Sequence, residues 1–75
     1  MVLSNSEIKK LINDNFHDER TRNILVERVI NRTLWNSLYC KYGNSMTRDR
    51  FIGESIRAIA KLNIIIRKQG GERII

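Results

Sequence analysis

Between Thr47 and Lys61 the sequence sets Arg50, Glu54, Arg57 and Lys61 at intervals of four, three and four. On a helix those intervals fall on a single face. Arginine and lysine presented in a row are positive donors that suit phosphate oxygens and base edges. Thr47 and Arg48 stand where such a helix would begin, so a hydroxyl, a guanidinium and free backbone N–H groups can meet one phosphate there. A second group, Arg67, Lys68, Gln69 and Arg73, surrounds Gly70-Gly71. These residues are the candidate contacts to double-stranded DNA. Glu54 runs against that reading. Its carboxylate either accepts from a cytosine amino group or pairs with Arg50 or Arg57 on a face that never meets DNA.

No other constellation supports chemistry. Cys40 as a nucleophile needs a base, and the single histidine, His17, lies in a different, polar stretch. One cysteine and one histidine do not make a zinc site, nor does one cysteine make a disulfide framework. Asp18 and Glu19 are adjacent in a polar segment, which is a loop composition and not an acid/base pair. Gly70-Gly71 is too short to cradle a phosphate and has no helix after it. The expectation is a protein without catalysis, cofactor or metal.

Charge narrows the partner. Residues 1–40 carry six cations against five acids, and residues 41–75 carry eight against three. Nearly all of the net charge of +6 is C-terminal, which points to a polyanion, nucleic acid first. No run approaches 18 apolar residues, and MVLSNSEIKK has no signal-peptide core, so neither membrane nor secretion is expected. A cytoplasmic location follows, or the host cytoplasm or nucleus for a viral protein. Asn31-Arg32-Thr33 matches a glycosylation acceptor by chance.

Seventy-five residues make one domain with one modest core. Ser4 and Glu7 fit a capping box, and Ile8, Leu11, Ile12 and Phe16 recur behind it, predicting a helix over 5–16. Residues 17–23 contain no apolar side chain and read as a solvated connection. NILVERVI suits a short strand over 24–29, although Leu25/Val29 and Val26/Ile30 are also helical pairs. Asn31 or Thr33 would cap a helix over about 32–42 that buries Leu34, Trp35, Leu38, Tyr39 and Tyr42 and ends at Gly43. Ser45 or Thr47 caps a helix over about 47–61, with Phe51, Ile52, Ile56, Ile59 and Leu62 as its buried stripe. Residues 63–67, with three isoleucines in a row, read as a strand; 68–71 read as a turn and 72–75 as the returning strand.

That order, α-β-α-α-β-β, is a winged helix: a single domain over 1–75, mostly helical, with a small basic hairpin as the wing. In that fold the third helix faces the major groove and the wing reaches the adjacent backbone. Residues 34–75 resemble the winged-helix segment near the C-terminus of the primase-helicases of large DNA viruses, phages and mobile elements. Leu34-Trp35, Leu38-Tyr39-Cys40, Gly43, Thr47, Phe51, Ile56 and Arg67 carry the likeness. The resemblance implies DNA binding in replication. Transcriptional control in a phage, virus, plasmid or microbe is the parallel expectation. The competing fold is an all-α bundle, with 24–42 as one helix and the isoleucines prolonging the third. The competing function is a docking module that pairs with a second copy or sits on a larger replication or transcription protein.

Overall fold

Ser4 starts the first helix. Its hydroxyl accepts from the Glu7 N–H at 3.2 Å, and the Glu7 carboxylate accepts from the Ser4 N–H at 3.2 Å. The computed structural model describes residues 3–43 and 45–70. The capped helix is α1 (Asn5–Asn15); it is followed by α2 (Glu19–Leu25), which runs on into a π-helical turn at Val26–Ile30. Then come α3 (Trp35–Tyr42) and the long α4 (Arg48–Lys68).

Among the described residues there is no strand, so the winged-helix expectation is overturned and the all-α alternative fits, with the isoleucines prolonging the last helix but with 24–42 broken at 31–34 and not one helix. The helix expected over 32–42 starts only at Trp35, capped by neither Asn31 nor Thr33, and Leu34, expected inside, is 72% exposed. Three further local readings fail for identifiable reasons. The connection expected over 17–23 is helical from Glu19 onward, because Asp18 caps it. Its carboxylate accepts from the Thr21 N–H at 3.0 Å and the Thr21 hydroxyl at 2.8 Å. The strand expected over 24–29 is helical because Leu25, Val26, Val29 and Ile30 recur at helical spacing and pack on one core cluster. The isoleucine run is the end of α4. Ile66 is buried, continuing the line of Ile59 and Leu62, while Ile64 is left outside. Burial at every third or fourth residue outweighs the β-branched preference for strands.

The expected wing accordingly dissolves. Arg67 and Lys68 are the last residues of α4, and Gln69 is its C-cap. Gly70, at φ +79°, takes the left-handed conformation that ends a helix, with its N–H bonded to the Arg67 carbonyl at 3.1 Å. Arg73 and the return strand expected over 72–75 lie outside the described residues. The end of the π turn is handled the same way without glycine: Arg32 sits at φ +57°, and the Thr33 N–H reaches back to the Glu27 carbonyl at 2.9 Å.

The core has two clusters strung along α4. Its N-terminal half buries Phe51 against Ile24 of α2 and Leu38 of α3. Its C-terminal half buries Ile59, Leu62 and Ile66 against Leu3, Ile8, Ile12, Phe16 and Leu25. Trp35 packs against both. The stripe expected for this helix is partly wrong, since Ile52 is half-buried and Ile56 is 52% exposed, while Ser55 is buried with its hydroxyl bonded to the Phe51 carbonyl at 2.9 Å. Arg20 locks the pieces together. Its Nε donates at 2.9 Å, and its Nη2 also donates, to the Tyr42 carbonyl at the end of α3; its guanidinium lies 5.8 Å from the Phe51 ring centre.

Gly43 ends α3 as expected, through close approach and not through a left-handed turn. A Cβ there would stand 2.5 Å from the Tyr39 carbonyl oxygen and overlap the Tyr39 ring. Tyr39 cannot easily yield, because its hydroxyl donates to the Met46 carbonyl at 2.6 Å. Gly43→Ala is expected to cost about 1–3 kcal/mol, as forced overpacking does. A urea titration should show the lowered midpoint.

Candidate nucleic-acid interface

α4 is the element that presents the basic residues. Of the two candidate caps, Ser45 and Thr47, it is Thr47 that caps it, its hydroxyl accepting from the Arg50 N–H at 3.3 Å. Twenty-one residues at about 1.5 Å each give a rod about 31 Å long. With one side buried in the two clusters, the opposite side carries Arg50, Arg57, Lys61 and Lys68, all exposed. Arg48 and Arg67 flank that row at either end. Six cations stand against two acids, Asp49 and Glu54, over the length of the helix.

Each cation has its own setting. Arg48 donates from Nε to Asn36 Oδ1 at 3.0 Å, which ties the start of α4 to α3. Arg50 lies 3.5 Å from a Glu54 carboxylate oxygen, both side chains well exposed. Of the alternatives for Glu54, pairing with Arg50 is therefore the one observed; such an exposed pair opens readily for a competing phosphate. Lys61 rests its ammonium 5.1 Å from the Phe16 ring centre. Arg57 has no ion pair or hydrogen bond among the described residues. Arg67 and Lys68 end the helix, where cations offset the negative end of its dipole. The structure thus brings Thr47, Arg48, Arg50, Arg57, Lys61, Arg67, Lys68 and Gln69 onto one element, where the sequence reading divided them between a helix and a hairpin.

A second cluster was not foreseen. Glu27, in the π turn, accepts from Lys41 at 2.8 Å and from the Tyr42 hydroxyl at 2.5 Å. Glu27 and Tyr42 line an open cleft of about 480 Å³ with Lys9, Asn13, Glu19 and Arg22. Cations and acids are mixed there, so the cleft favours no charged ligand of one sign. The spacing of 14 and 15 residues between Glu27 and its partners crosses two elements, and no local pattern announces it. No group of three or more His, Cys, Asp or Glu among the described residues could hold a metal, and no helix of theirs is long and apolar enough to cross a membrane.

This cluster gives the fold a pH dependence. Hydrogen bonds from Lys41 and then Tyr42 hold the Glu27 carboxyl below its ordinary 4.5. The bond to Glu27, with burial next, raises the Tyr42 phenol above 10.0, and the same carboxylate raises Lys41 above 10.5. A lowered carboxyl stabilises the fold above its unfolded pKa and loses that contribution as pH falls through the folded value. A raised phenol or ammonium stabilises below its unfolded pKa and loses the contribution as pH rises through the folded value. Stability is therefore expected to hold between about pH 5 and 10 and to decline on both sides. Asp18, lowered first by the Thr21 hydroxyl and then by its N–H, adds to the acid limb. Glu27→Gln should flatten the limb below pH 5 in urea titrations run at several pH values.

Comparison with protein-family models, curated proteins and solved structures finds no match to this chain.

Proposed function

We propose that this chain binds double-stranded DNA through the exposed basic face of α4. The observation that carries the reading is the row of four cations, Arg50, Arg57, Lys61 and Lys68, along the exposed face of α4, with Arg48 and Arg67 near its ends and one of the helix's two acids already engaged by Arg50. The arrangement around α4 supports it. The short α3 leads through residues 43–47 into α4, a helix-turn-helix order in which the second helix meets the duplex. Arg48 on Asn36 ties α4 to α3, and Arg20 of α2 bridges them by donating to the Tyr42 carbonyl of α3 while its guanidinium lies over Phe51 of α4. Arg50, Arg57, Lys61 and Lys68 supply phosphate contacts, and Thr47 with Arg48 and the unpaired N–H groups of the first turn of α4 supplies another. No covalent chemistry is involved.

Fluorescence anisotropy with a labelled mixed-sequence duplex, titrated with salt, tests this. Five phosphate contacts at a log–log slope of about −0.9 each predict a loss of several hundredfold in affinity between about 50 and 200 mM salt. Absence of binding at the lowest salt, or binding indifferent to salt, would overturn the proposal.

A further inference from the structure

We propose that α4 also pairs antiparallel with α4 of a second copy of this chain, along the edge formed by Gly53, Ile56, Ala60 and Ile64. This edge lies beside the basic row. Ile56 and Ile64 are 52% and 55% exposed, each about one helical turn from Ala60 on opposite sides of it. Large apolar side chains flanking a small one make a self-complementary surface, as a two-fold interface requires. With Ala60 at the two-fold axis, Ile56 of one copy comes level with Ile64 of the other.

The receiving site is already shaped. Ala60, Asn63, Ile64 and Arg67 line a concavity of about 230 Å³. Those positions, at i, i+3, i+4 and i+7, are the four residues that form the hole for a side-chain knob from a facing helix. Ile56 of the second copy is the knob, and the symmetry fills both holes at once. Charge agrees with the antiparallel sense. Arg67 of one copy comes level with Gly53 of the other, which leaves room for the guanidinium, and Asp49 stands one turn beyond it. A parallel pair would set Asp49 beside Asp49 and Arg67 beside Arg67. The two-fold axis of an antiparallel pair is perpendicular to both helices, so the same flank of each faces the same way. Arg50, Arg57 and Lys61 of both copies then share one side of the dimer. The pairing is independent of DNA and is tested without it.

Sedimentation equilibrium of the full chain from about 1 to 200 μM should show a monomer passing to a dimer. Ile56→Asp, with an unchanged helical circular dichroism spectrum, should weaken the dimer about tenfold or more. Arg67→Asp and Asp49→Arg should each weaken it, and the doubly exchanged chain should recover. In a Cys40→Ser background, Ala60→Cys should oxidise to a covalent dimer. Ile56→Cys should not do so alone, but should cross-link when mixed with Ile64→Cys. A monomer throughout, a dimer untouched by Ile56→Asp, or self-linking of Ile56→Cys would overturn the proposal.

Discussion

Phe51→Ala is expected to take a large share of the chain's stability and lower its melting midpoint steeply. Phe51 is 1% exposed and is the residue through which α4 meets both α2 and α3. Its ring lies 5.7 Å from that of Tyr39 and takes the Arg20 guanidinium at 5.8 Å. Removing a buried phenylalanine costs about 3–5 kcal/mol, from forfeited transfer energy and the residual cavity. A chain of 75 residues holds about 4–11 kcal/mol in all, at about 0.05–0.15 kcal/mol per residue. The cost is thus a large share of the total. A domain of this size loses about 4–8 °C of melting temperature per kcal/mol, so the midpoint should fall by about 12–40 °C. Thermal circular dichroism reads this directly. Leu34→Ala is the control, because a side chain 72% exposed should shift the midpoint far less. Near-equal melting of the two variants would show that the cluster around Phe51 does not hold the fold together.

The second large effect concerns binding. Reversing Arg57 and Lys61 together to glutamate should lower duplex affinity by about a hundredfold or more at about 150 mM salt. Each reversal deletes a cation facing a phosphate and adds a repulsion, and the salt slope should fall by about one for each phosphate left unneutralised. Arg57 is exposed and makes no ion pair or hydrogen bond among the described residues, so Arg57→Glu alone should leave the stability within the usual range for surface changes, about ±0.5 kcal/mol. Lys61 also sits over Phe16, so its reversal carries about 0.5–1 kcal/mol of stability with it. Comparing the single and double variants separates the two effects. Undiminished binding by both would remove α4 as the binding helix.

The parts of the fold that were legible in the sequence are those whose cause is local. Ser4 with Glu7, and Thr47 with the N–H of Arg50, are caps complete within four residues, and both helix starts fall where the spacing put them. The Asp18 cap is equally local. It was obscured because no apolar side chain follows it until Ile24 and Leu25. The isoleucine run failed for a different reason. Three β-branched residues in sequence favour a strand, and only the position of α1 and Leu25 beside Ile66 decides for helix. That decision is tertiary and leaves no mark in residues 63–67 themselves. The candidate interface shows the same division. Arg50, Glu54, Arg57 and Lys61 share an exposed face as their spacing implied. Arg67 and Lys68 joined the same helix once the hairpin gave way. The Glu27–Lys41–Tyr42 cluster, assembled across two elements, had no local signature at all.

Trp35 has a consequence of a different kind. It is the only tryptophan in the chain, is half-buried, and touches both core clusters, with the Arg28 guanidinium stacked 4.4 Å from its ring centre. Its emission is thus a built-in spectroscopic gauge of whether the two ends of α4 come apart together. If the clusters dissolve as one unit, fluorescence and circular dichroism will trace a single superimposable transition. If the Phe51 end loosens first, the indole will shed its cationic neighbour and brighten or shift while most of the helical signal persists. The chain carries its own test of cooperativity and needs no added dye.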